Sequence, residues 1–232
     1  MFFSFNKKSS LLFCILYLSL LFCNVQNNAK IVPTATQAPI QKYTVVIDAG
    51  HGGKDVGTRG IGTDVLESSL NLQYSYALKT AFEQAGFQVV LTRKDENSLC
   101  SNPLGFHKRK DMEIRKQIIK TAKPHFIISI HMNEFLGDKN QSGAQVFYQK
   151  NDEKSEAFAI RLQDELNKIN NKPRLHLAGD FFVLKDALAP AVIVECGFLS
   201  NEQEEKRLQT KEHKEVLCNA IVIAVVQSVL SQ

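Results

Sequence analysis

The chain has no internal repeat, no long stretch rich in proline, serine or glycine, and no acidic residue before position 43. Without repeats or a dividing linker, 232 residues that are 44% hydrophobic and 22% charged make one domain plus a leader, with ample chain for a core. Lys7, Lys8, Lys30 and Lys42 account for the whole excess of 28 basic over 24 acidic residues, so the body from 43 to 232 is neutral. A nucleic-acid binder gathers Lys and Arg to neutralise phosphates, and a neutral body argues against that class. Lys108-Arg109-Lys110, with Arg115 and Lys116, is interspersed with Asp111 and Glu113, which is the expected pattern of a solvated helix face. Cysteine is scarce as well. Beyond Cys14 and Cys23, the widely spaced Cys100, Cys196 and Cys218 form neither a disulfide framework nor a thiolate zinc site. They are expected to be free thiols. Nucleotide signatures are missing too: Gly50-x-Gly52 lacks its third glycine, with Asp55 in that place, and no Gly-Lys-Ser/Thr occurs.

The N-terminus has the pattern of an export signal. Lys7 and Lys8 precede an uncharged run of 13 residues, Leu11 to Cys23, which favours sending the rest of the chain outward. A helix of that length spans roughly 20 Å, short of the ~30 Å hydrocarbon core. Residues 1–23 are therefore expected to be a signal peptide, with an uncleaved membrane anchor as the alternative because no clear A-x-A site follows. Leu20-Leu21-Phe22-Cys23 is a poor lipoprotein signal, since Phe22 is bulky where a small residue is needed. Residues 24–42 read as a polar linker, and residues 43–232 as the catalytic domain.

From Tyr43 the sequence alternates between two periodicities. Tyr43–Asp48, Phe87–Thr92, Phe126–Ile130, Ala144–Gln149, Phe181–Leu184 and Ala191–Val194 read as strands. Leu66–Ala85, Lys108–Ala122, Ser155–Ile169 and Val216–Leu230 read as helices, the first stopped by Gly86 and the second by Pro124. Short, fully apolar strands alternating with helices predict a single α/β domain around a largely parallel sheet.

Four polar residues stand at the ends of these elements. His51 follows the first strand, His131 follows Ile130, Glu195 follows Val194, and Glu67 opens the first long helix. In an open α/β sheet ligands bind beyond the carboxyl ends of the strands, so three of the four share one rim and Glu67 lies where the chain returns from it. Two imidazoles and a carboxylate are a ligand set for catalytic zinc with a fourth position left open. A second carboxylate is then needed to carry a proton from water to the leaving group. Each residue also has an ordinary reading: a hydrogen-bonded structural histidine, a glutamate favouring the helix dipole, or a glutamate paired with a lysine.

Over Tyr43 to Leu230 the sequence resembles the zinc-dependent N-acetylmuramoyl-L-alanine amidases. The matching blocks are Val46-Ile47-Asp48-Ala49-Gly50-His51-Gly52-Gly53, Glu67-Ser68-Ser69-Leu70-Asn71-Leu72 and Leu91-Thr92-Arg93. Ser129-Ile130-His131-Met132-Asn133 and Val194-Glu195-Cys196-Gly197-Phe198-Leu199-Ser200-Asn201 follow in the same order. The resemblance implies His51, Glu67 and His131 as zinc ligands and Glu195 as the catalytic acid/base. It also implies a mixed central sheet flanked by helices, with Arg93, Arg115 and Asn133 supporting the site. Ala49 stands where the family usually has proline, which loosens the turn without removing a ligand.

Ser142–Tyr148, Gln163–Leu166 and the leader resemble the spore-cortex branch, whose members strip stem peptides so that muramic δ-lactam can form. The expected partner is peptidoglycan, with the membrane as a second contact if the leader stays uncleaved. The expected location is the outer face of the cytoplasmic membrane or the wall. A zinc peptidase cutting within stem peptides, and a noncatalytic wall-binding or activator protein, are the rival functions. His107, His125, His176 and His213 are expected to be structural or surface residues, although His176 could touch substrate. Cys196 alternates to the face opposite Glu195 and is expected to pack in the core.

Overall fold

A computed structural model describes residues 42–100 and 107–231; the leader and most of the linker lie outside the described residues. The first strand, β1 (Thr44–Ala49), is buried on both faces from Val45 onward, as its unbroken apolar sequence requires of a central parallel strand. The remaining strands are β2 (Gln88–Leu91), β3 (Phe126–Asn133), β4 (Gln145–Gln149), β5 (Leu177–Gly179) and β6 (Ala191–Phe198). They form one sheet in the order β2-β1-β3-β6-β4-β5. β4 runs antiparallel to β6, and every other pairing is parallel. The sheet is mixed and largely parallel, as expected.

The helices are α1 (Glu67–Gln84), α2 (Lys108–Ala122), α3 (Glu153–Asn167), α4 (Glu202–Leu208) and α5 (Lys211–Leu230). Strand alternation divides the core in two. Val45, Ile47, Ile128, Ile130 and Val194 pack on the side of α1, α3 and α5. Val46, Ile127 and Ile193 face α2 and the turn that carries Val183 and Leu184. Helix α5 is long and apolar enough to cross a membrane, yet Leu217, Ile221, Ala224 and Val225 are buried in the larger core. Its apolar character is that of a core helix. Cys196 and Cys218 lie in the same core as free thiols, which accounts for Cys196 alternating away from Glu195.

Three expectations need correction. Phe181–Leu184 is not a strand: Leu184 N and Lys185 N both donate to Phe181 O at 3.0 Å, closing a turn. Its apolar character reflects burial of Val183 and Leu184 beneath α2, while the strand at this edge is the short β5. Helix α4 and the first turn of α5 are polar, so apolar periodicity could not reveal them; caps mark them instead. Asn201 Oδ1 accepts from Gln203 N and Glu204 N, and Thr210 Oγ1 accepts from His213 N. Finally, β3 and β6 extend past Ile130 and Val194, so His131 and Glu195 sit within strands and are paired in register.

Candidate metal centre

From β1 the chain passes through α1 to β2 on one side, then returns through α2 to β3 on the other. The sheet's switch point therefore lies between the carboxyl ends of β1 and β3, where a crevice opens. His51 is on the loop leaving β1, and His131 is near the end of β3. Helix α1 begins at the same rim, which puts Glu67 in its first turn.

The loop carrying His51 is held in an uncommon conformation. His51 has φ of 61°, a left-handed geometry costly for a residue with a Cβ. Two buried arginines fix it. Arg115 donates to Asp48 Oδ1 at 2.7 Å, to Ala49 O at 2.6 Å and to His51 O. Arg93 donates to Ala49 O and Gly50 O, both at 3.0 Å, and to Ser68 O at 2.6 Å at the start of α1. Three successive carbonyls of the loop are thus gripped by two guanidinium groups. Arg115 is completed by Asp111 at 2.8 Å on its own helix. This overturns the solvated-face reading for Asp111 and Arg115, which are 4% and 1% exposed, while Lys108, Arg109 and Lys110 are exposed as expected.

Glu67 is the hub of the cluster. Its Oε1 lies 3.1 Å from His51 Nε2 and 2.9 Å from His131 Nδ1, and it also accepts from Met132 N at 3.2 Å. Asn71, one turn along α1, donates to the same oxygen at 3.3 Å. Oε2 accepts from Thr58 N at 2.8 Å. The two imidazoles meet edge to face, with centroids 5.0 Å apart. Two glycines make this approach feasible. A Cβ on Gly50 would overlap the His131 ring, and one on Gly57, at φ of 69°, would overlap the Glu67 carboxylate.

The electrostatics separate the two glutamates. Burial works against ionisation of Glu67, but His131 and His51 outweigh it and hold the carboxyl well below its usual range. Burial likewise opposes a charge on His131, yet Glu67 and Glu195 carry its pKa upward. For Glu195 burial dominates: its pKa rises to about 7, with Glu67 adding to the rise and His131 opposing it. Its Oε2 is buried without a hydrogen-bond partner.

One ligand atom each from His51, Glu67 and His131 lies within 4.8 Å of the others. Two nitrogens and one oxygen converging on a point, with an orphaned carboxyl beside them, fit a divalent metal with an open position. Asn133 does not join the cluster; its side chain accepts from Glu134 N. Nor do the other histidines. His125 accepts from Thr44 N and meets Tyr43 edge to face, and His213 accepts from Arg207. His107 precedes α2, and His176 lies against Tyr148. One contributor escaped sequence reasoning. Asp55 places Oδ1 2.9 Å from His51 Nδ1, and the His-x-x-x-Asp spacing in a glycine loop was its only signal.

Residues 45–227 match the family model of the N-acetylmuramoyl-L-alanine amidases. The germination-specific N-acetylmuramoyl-L-alanine amidase of Bacillus subtilis (strain 168) is 28% identical over 191 residues, covering 79% of this chain and 78% of that protein. Among solved structures, the CwlD amidase of Clostridioides difficile, in complex with the GerS lipoprotein, is 35% identical with a TM-score of 0.75. That match covers 82% of this chain and 98% of the other. An N-acetylmuramoyl-L-alanine amidase of Clostridium difficile 630 is 27% identical, with the same coverage and a TM-score of 0.73. With its fold matching those structures and its family model spanning nearly the whole described body, the chain belongs to the N-acetylmuramoyl-L-alanine amidases, the hydrolases of peptidoglycan.

Proposed function

We propose that the chain is an exported, zinc-dependent amidase that separates N-acetylmuramic acid from the L-alanine of the stem peptide, in the spore-cortex branch of the family. The observation that carries the reading is Glu67 Oε1 set between two imidazole nitrogens, with Glu195 beside them and its Oε2 buried and unpartnered. His51, Glu67 and His131 would hold the zinc. Bound there, the ion would supply a Lewis acid for the scissile carbonyl and lower the pKa of water to about 7.

Glu195 is the proton carrier. Amide cleavage requires a base that removes a proton from water and an acid that delivers one to the departing nitrogen, so the carrier must exchange near the working pH. Burial raises the Glu195 carboxyl toward that range, whereas Glu67, held ionised, is suited to remain a ligand. The cortex assignment is supported by the likeness to the germination-specific enzyme and to CwlD. Export rests on the charge and length of residues 1–23.

Digestion of purified peptidoglycan, with mass spectrometry of the products, tests the reading. The expected products are a free muramic acid carboxyl and a new L-alanine amino terminus. Termini within the stem peptide would reassign the chain as a peptidase. Binding without release would reject catalysis altogether.

A further inference from the structure

We infer that Asp55 is the positioning residue for His51: its carboxylate holds the proton on Nδ1 and so leaves Nε2 free for the metal. The inference rests on the ligand assignment proposed above. A neutral imidazole carries one proton on either of two nitrogens, and a proton on Nε2 would block the metal. His51 presents these nitrogens to two different carboxylates. Nε2 faces Glu67 Oε1 at 3.1 Å, inside the cluster. Nδ1 faces Asp55 Oδ1 at 2.9 Å, on the other side of the ring. Asp55 is thus placed behind the ligand and not among the ligands. An ionised carboxylate has no hydrogen to donate, so at this position it can only accept from Nδ1–H.

The loop is built to keep Asp55 there. Gly52 N donates to Asp55 O at 2.8 Å, and Asp55 N returns to Gly52 O at 3.2 Å, closing the chain immediately after His51. The second carboxylate oxygen lies 3.2 Å from Lys108 Nζ at the start of α2. A carboxylate bound to a metal-ligating histidine fixes the tautomer and ring orientation and raises the basicity of the ligand. His131 is held by other means: its ring packs on Gly50, where a Cβ would overlap it. Asp55 therefore acts on one ligand of the pair, through one hydrogen bond.

The test uses the full chain, with zinc as the only metal added. Competition against a chromogenic chelator gives the zinc dissociation constant, and ¹⁵N-histidine NMR of the metal-free protein identifies the protonated nitrogen of His51. Asp55→Asn keeps the size of the side chain and removes its charge; Asp55→Ala removes the acceptor. Zinc binding should weaken by about tenfold in the first and up to about a hundredfold in the second, with loss of the hydrogen-bonded Nδ1–H signal in Asp55→Ala. Melting curves of the metal-free variants control for folding. A loop-packing role for Asp55 would leave the His51 tautomer unchanged. Zinc affinity within about twofold of wild type, with Nδ1–H intact in Asp55→Ala, would overturn the inference alone. A wild-type chain that holds no zinc would overturn the ligand assignment and this inference with it.

Discussion

Glu67 and Glu195 face the same imidazole, His131, which lowers both carboxyls against burial; the imidazoles prevail at Glu67 and burial prevails at Glu195. That difference can be read out separately for each residue. Glu195→Gln keeps the shape of the side chain and removes its ability to exchange a proton. It should retain zinc and lose turnover by roughly 10²–10⁴-fold. Glu67→Gln replaces an anionic ligand with a neutral one and should lose the metal itself. Metal analysis and turnover of the two variants check this, and zinc loss confined to Glu195→Gln would reverse the roles. All four residues were legible because they are polar at the ends of apolar elements. Asp48, Asp111 and Arg115 were less so. Their burial is set by how α2 seats on β1, with Arg115 reaching Asp48 across 67 residues of chain, a distance over which periodicity carries no information.

At the scale of elements, α2 is attached to the sheet through charge as well as apolar contact. Burial alone would raise the Asp48 carboxyl, but Arg115, Thr92 and Ser129 hold it down at about 2 against an ordinary 3.8. The depressed value means that the ionised form stabilises the fold. The gain is complete above pH 3.8 and is lost as pH falls through about 2. At 1.36 kcal/mol per unit it is worth about 2 kcal/mol. Urea unfolding across this window should therefore show stability falling more steeply in the wild type than in Asp48→Asn. Parallel profiles would show that the pair does not couple to folding. The elements that sequence reasoning missed follow the same logic. Phe181–Leu184 is as apolar as a strand because Val183 and Leu184 are buried, but Gln149 Oε1 accepts from Phe181 N at 3.0 Å, where the chain turns off the sheet edge. Helix α4 declares itself only through its Asn201 cap.

At the scale of the whole molecule, the described residues 42–100 and 107–231 belong to one compact unit. If the leader serves export and nothing else, deleting residues 1–30 should give a soluble, folded protein that hydrolyses peptidoglycan but stays in the cytoplasm. Circular dichroism, fractionation and digestion of purified peptidoglycan would check it. A truncated chain that is insoluble or inactive, while the full chain folds, would assign the leader a structural role.

The position of β6 bears on the order in which the molecule can be made. β6 pairs with β3 on one side and β4 on the other, yet it is the last strand to leave the ribosome. Before Ala191–Phe198 is available, the sheet exists at most as two separate pieces, β2-β1-β3 and β4-β5. Each ends in a bare strand edge, a site open to mispairing with other chains. Parallel pairing between strands so far apart in sequence is also slow to form. The nascent chain therefore cannot complete its sheet, or cover those two edges, until its C-terminal segment arrives.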